Sequence, residues 1–101
     1  MNLCCLTLIF QKDVEDEITD FMLAHESAGK GFHTSTIEGH GHDARLATLK
    51  EKVRGRSGKI RMDIVMAEDA AERLLSDLGT AFPNLRLTFW TSPVIRFGRL
   101  P

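Results

Sequence analysis

The segment Leu3-Cys4-Cys5-Leu6-Thr7-Leu8-Ile9-Phe10 constrains this chain more than any other, because it is apolar at nearly every position. It is far shorter than the roughly 20 residues a membrane-spanning helix needs. A strand that is apolar on both sides has to be covered on both sides. The fold must therefore place this strand inside a sheet, with protein against each of its faces. Cys4 and Cys5 are adjacent, so on a strand their side chains point to opposite faces and cannot form an ordinary disulfide with each other. They read as two reduced, small hydrophobes. A soft-metal or redox role is the alternative, although no C-x-x-C occurs in the chain.

The rest of the chain alternates between helical and strand periodicity. Asp13 suits a helix N-cap, and Glu15, Asp16 and Glu17 place negative charge where the helix dipole favours it. Val14, Ile18, Phe21, Met22 and His25 then form one apolar stripe at helical spacing, and the glycines of 27–31 end it. Phe32 to Ile37 has strand-forming residues. A long connection comes next, with Leu46, Leu49 and Val53 spaced for one or two helical turns. From Lys59 to Met66 the pattern alternates cleanly, with Ile60, Met62, Ile64 and Met66 on one side and Lys59, Arg61 and Asp63 on the other. Asp69-Ala70-Ala71-Glu72 reads as a capping box opening a second helix, with Ala71, Leu74, Leu75, Leu78 and Phe82 inward and a stop at Gly79 and Pro83. Leu85, Leu87 and Phe89 alternate with Arg86, Thr88 and Trp90 in a last main strand, and 91–101 form a tail.

This β-α-β-β-α-β order predicts an α+β, ferredoxin-like domain, with two helices on one face of a four-stranded antiparallel sheet. The 101 residues suit one domain, 1–101. No positively charged segment or cleavage site accompanies the first strand, so a signal peptide and membrane insertion are not expected, and a cytoplasmic location is. The first strand lies inside the sheet, so one of the sets Leu3/Cys5/Ile9 or Cys4/Leu6/Leu8/Phe10 must occupy the face without helices. Trp90 adds to that side. A monomer would expose an apolar patch of a size that soluble monomers seldom carry. The open faces are therefore expected to pack together in an oligomer with Trp90 at the interface; a monomer covered by its own tail is the alternative.

Net charge is −1, but it is unevenly distributed. Residues 1–42 carry two Lys/Arg against seven acids, whereas 43–61 carry seven Lys/Arg against two. The basic segment is either a solvated face or a lure for an anion such as a phosphate group. It contains no aromatic residue to stack on bases, and the chain as a whole is slightly acidic, so nucleic acid is not an expected partner. Catalysis is not expected either. Ser27 and Ser57 lie in no nucleophile motif, both cysteines fall in the predicted core, and no carboxylate pair stands apart from capping roles.

The element order, the long loop before the third strand and the apolar open face resemble the PII signalling proteins and the CutA divalent-ion tolerance proteins. Within that superfamily the chain is similar to an uncharacterised PII-like family often encoded near heavy-metal efflux systems. The likeness rests on Gly39-His40-Gly41, Glu51-Lys52-Val53-Arg54-Gly55-Arg56, Ala81-Phe82-Pro83 and Trp90-x-x-Pro93-Val94. It implies a homotrimer whose sheets pack around a threefold axis. It also implies an effector loop at 39–58 that docks on a membrane transporter or regulatory protein. Finally it implies a small anionic ligand, an adenine nucleotide, bound in the clefts between subunits. Arg54, Arg56, Arg96 and Arg99 are the ligand-binding candidates, since guanidinium forks suit phosphate. Three features depart from PII proteins. The glycine-rich loop after the second helix is missing, as in CutA. The second arginine of the tail is out of alternation. No tyrosine is present to be uridylylated.

Gly39-His40-Gly41-His42-Asp43 supports the alternative reading, a protein that binds a divalent transition metal or confers metal tolerance. Imidazoles suit Cu or Zn ions, and flanking glycines let His40 and His42 reach one ion. Further ligands would have to come from His33, Asp43 or symmetry. His25, on an apolar stripe near a helix end, reads as structural.

Overall fold

The structure, a computed structural model, describes residues 2–28, 31–40 and 57–101. Strand β1 runs Leu3–Gln11, a single 3-10 turn covers Lys12–Val14, and helix α1 covers Glu15–Ala24. Strands β2 (His33–Gly39) and β3 (Ser57–Ala67) come next, then helix α2 (Glu68–Ala81) and strand β4 (Thr88–Val94). All pairings are antiparallel, in the order β2-β3-β1-β4. The two doubly apolar or strictly alternating segments, β1 and β3, thus take the centre, and the more polar β2 and β4 take the edges. This is the α+β, ferredoxin-like arrangement that the periodicities predict.

The register decides which side of β1 faces the helices. Cys4, Leu6, Leu8 and Phe10 stand opposite Met66, Ile64, Met62 and Ile60 of β3, and all eight are buried. Ile18 and Met22 of α1 and Ala71, Leu74 and Leu78 of α2 close over them to complete the core. Phe21 and Phe82 meet edge to face at 5.7 Å, joining α1 to the end of α2. His25 makes a second link. The Ser27 amide donates to its Nδ1 at 3.1 Å, so the ring proton sits on Nε2, which donates to Asp77 Oδ2 at 2.8 Å. His25 is a strut between the helices, as its place on the stripe suggests.

Helix starts and strand ends differ from the sequence expectations. Asp13 lies inside the 3-10 turn, and the residue that caps α1 is Val14, without a side-chain hydrogen bond. Asp69 and Glu72 form no capping box, because α2 begins at Glu68 with Ala67 as its N-cap, two residues earlier than that box requires. The Asp69 carboxylate accepts from the Ala70 amide at 2.9 Å, while the Glu68 amide donates to the Asn2 carbonyl at 3.0 Å. Strand β3 runs straight into the helix, so the first-turn amide is satisfied by Asn2, just ahead of β1, instead of a cap. Gly79 does not stop α2, which continues to Ala81; Pro83 lies just past the end. β4 starts at Thr88, later than Leu85. Leu85 and Leu87 pack against the core ahead of the strand.

Candidate functional site

The face without helices is built from the residues that point away from the core. Along β1 these are Leu3, Cys5, Thr7, Ile9 and Gln11. The register brings Val65, Asp63, Arg61 and Lys59 of β3 opposite Cys5, Thr7, Ile9 and Gln11. From β4, Val94, Ser92, Trp90 and Thr88 oppose Leu3, Cys5, Thr7 and Ile9, and His33 of β2 opposes Asp63. Leu3/Cys5/Ile9 is therefore the open set, and Trp90 lies on that face as expected, about half exposed.

The middle of the face is polar, contrary to the expectation of a continuous apolar patch. Thr7 is only 1% exposed, and its hydroxyl donates to Asp63 Oδ1 at 2.6 Å. Arg61 Nε donates to Asp63 Oδ2 at 3.0 Å, and its Nη2 reaches Oδ1 at 3.3 Å. The guanidinium carbon of Arg61 lies 5.7 Å from the centroid of the Trp90 ring, within cation–π range. Cys5 Sγ completes the group, 3.9 Å from Asp63 Oδ1. Burial alone would raise the Asp63 pKa. The Thr7 hydroxyl and the Arg61 guanidinium, with His33 further off, outweigh it and hold the carboxyl below the ordinary range. Asp63 in turn keeps Arg61 more firmly protonated. The face is a polar centre, already satisfied within one chain, ringed by Leu3, Ile9, Val65, Trp90 and Val94.

The sequence contained the signal for this centre. Lys59, Arg61 and Asp63 alternate with the buried side of β3, and the only sheet face left for them is the one β1 leaves open. Neither strand taken alone reveals their meeting.

The other candidates are dispersed. Arg96 and Arg99 lie exposed beyond the end of β4. Arg54, Arg56, His42, Asp43 and the helical turns expected near 46–53 lie outside the described residues. His40 is exposed at the end of β2, with its Nε2 4.0 Å from Glu38 Oε2. Among the described residues, no group of three or more His, Cys, Asp or Glu side chains is placed to hold a metal ion. The two cysteines do lie on opposite sides of β1, Cys4 buried and Cys5 half-buried, both free. Burial, then the charges of Glu68 and Cys5, push the Cys4 thiol up, so it is a poor nucleophile at neutral pH. No helix among the described residues is long and apolar enough to cross a membrane.

The family described as protein of unknown function DUF3240 matches residues 1–101. The chain belongs to the DUF3240 family. A crystal structure of a DUF3240 family protein from Shewanella baltica OS155 superposes with a TM-score of 0.78 at 22% identity, covering 100% of this chain and 99% of that one. CPII, a nitrogen regulatory PII-like protein from Thiomonas intermedia K12 solved with ADP, AMP and bicarbonate, superposes with a TM-score of 0.70 at 17% identity. That match covers 100% of this chain and 98% of CPII. The apo form of CPII gives a TM-score of 0.66 at 15% identity, covering 93% and 90%. No curated protein matches the sequence. This DUF3240 chain therefore has the PII-like version of the ferredoxin-like fold, as its motifs imply.

Proposed function

We propose that this DUF3240 protein is a PII-like regulatory subunit, a binding protein and not an enzyme, that works as a homotrimer. An adenine nucleotide occupies the cleft between subunits, and the 39–58 loop carries the state of that cleft to a protein partner. The observation that carries the reading is the full-length likeness to CPII, which was solved with ADP and AMP. This chain's own residues agree with it. Arg96 and Arg99 are exposed just past the sheet, free to reach a neighbouring subunit, and guanidinium groups are the usual partners of phosphate oxygens. The open face has an apolar surround and an Arg61–Asp63 pair already satisfied within one chain, so burial of that centre against further copies leaves the pair matched.

Calorimetric titration of ADP, AMP and ATP tests the ligand. Binding is expected in the parent, with a clear loss in Arg96→Ala/Arg99→Ala. Absence of heat at millimolar nucleotide would leave the reading without its ligand. Light scattering tests assembly, for which a mass of three 11.3 kDa chains is expected.

A further inference from the structure

Helix α2 turns one continuous stripe toward the β4 edge of the sheet. Glu68, Ala71, Glu72, Leu75, Leu78 and Phe82 recur at helical spacing and share that side. Facing them are Phe89 and Thr91 of β4, which pair with Leu8 and Leu6 of β1 and so lie on the helix side of the sheet. Between helix and strand is a hollow of about 320 Å³, lined by Cys4, Glu68, Glu72, Leu75, Phe89 and Thr91. A second, of about 170 Å³, shares Leu75 and Phe89 with it and continues between Leu78, Phe82, Leu85 and Leu87. One end of this trough is acidic and the other is apolar.

The acidic end is uncompensated. Glu68 and Glu72 stand one helical turn apart, where like charges repel. Neither carboxylate has an ion pair or hydrogen bond among the described residues, and Arg73, the one cation of α2, is held by Asp69 at 3.5 Å. At the floor Cys4 is 2% exposed, and its thiol makes no hydrogen bond among the described residues. The Glu68 charge acts on that thiol directly. Buried polar groups normally have partners, and a hollow of this size suits a small molecule.

We propose that the trough binds a free aliphatic primary amine, with its ammonium between Glu68 and Glu72 and its chain lying toward Leu78 and Phe82. An ammonium is a compact charge with three N–H donors, so it can bond two carboxylates a turn apart at once and the Thr91 hydroxyl as well. The chain would cover Phe89, which is 53% exposed. The apolar continuation favours a free amine over a lysine of another protein. A lysine stem ends in peptide backbone, whose amides would be left without partners at the apolar end. Neither nucleotide nor the arginines of the tail take part in this site.

NMR titration of the full-length protein with hexylamine, hexanol and hexanoate tests the assignment. Hexylamine is expected to shift the amides of Ala71, Glu72, Leu75 and Phe89 and to bind about tenfold tighter than hexanol, as two exposed ion pairs allow. Hexanoate should bind more weakly than either. From butylamine to octylamine each added methylene should tighten binding by up to about fourfold. Glu68→Gln/Glu72→Gln, at two exposed positions, should abolish the preference over hexanol and leave hexanol binding unchanged. The proposal is overturned if millimolar hexylamine leaves these amides unshifted, if its preference over hexanol survives the double substitution, or if affinity does not rise from butylamine to octylamine. Tighter binding of Nα-acetyl-lysine amide than of hexylamine would also overturn it, by assigning the acidic end to a protein side chain.

Discussion

Replacing Thr7 by valine removes one hydroxyl and keeps the shape of the side chain. Thr7 is 1% exposed, so the substitution does not disturb solvent, and valine suits a central strand. What is lost is the 2.6 Å hydrogen bond to Asp63. A hydrogen bond to a charged group contributes about 1.5–3 kcal/mol when the charge is sheltered. The Asp63 side chain is 33% exposed in one chain, and Arg61 still bonds it, so water and the guanidinium recover part of the loss. In an isolated chain the cost should be about 1 kcal/mol, lowering Tm by about 4–8 °C. If other copies cover the open face, water cannot replace the hydroxyl and the cost rises toward about 2–3 kcal/mol. The pH dependence gives a separate check. Asp63 has a depressed pKa when folded, so the unfolded state binds its proton more tightly. Its stabilisation is complete above the unfolded value of 3.8 and disappears as pH falls from there through the depressed folded value. Thr7→Val removes part of that depression. The Tm gap between parent and variant should therefore be widest near neutrality and narrow as pH falls to about 2.5. Calorimetry at equal protein concentration reads both quantities. A variant as stable as the parent at neutral pH, or a gap that does not change with pH, would refute the argument.

Four further substitutions probe other parts of the molecule. Trp90→Asp should reduce the mass seen by light scattering to that of one chain or unfold the protein, because it places an unpaired charge where the faces meet; an unchanged trimer would remove Trp90 from the interface. Ile18→Ala empties a fully buried site between α1 and the sheet, and should cost about 2–5 kcal/mol in chemical denaturation. Asp77→Asn keeps the acceptor for His25 but removes its charge on an exposed helix side, so a change under about 1 kcal/mol is expected in the same assay. His40→Ala/His42→Ala tests the metal reading: a loss of Cu or Zn affinity with the fold retained would support it, and metal binding equal to the parent's would remove it.

The local patterns of this chain determined most of its architecture. Alternation in β3, the helical stripe ending at His25 and the doubly apolar β1 each define an element by which side chains must leave water, and that is a property of sequence spacing alone. Element order then limits the topology, and the short motifs carry the family. Ends were harder to read, because capping is a competition among neighbours. The Glu68 amide is satisfied by the Asn2 carbonyl, 66 positions away along the chain, and no local signal marks such a partner. The site depended still more on tertiary structure. Whether Leu3/Cys5/Ile9 or Cys4/Leu6/Leu8/Phe10 faces the helices was undecided until β1 met β3 in register, because both sets are apolar. That register alone brings Thr7 opposite Asp63 and Trp90, turning three ordinary residues of separate strands into a hydrogen-bonded, charge-balanced centre. A single strand specifies which residues share a side; only the pairing of strands specifies which side chains meet across it, and electrostatics acts on the meeting.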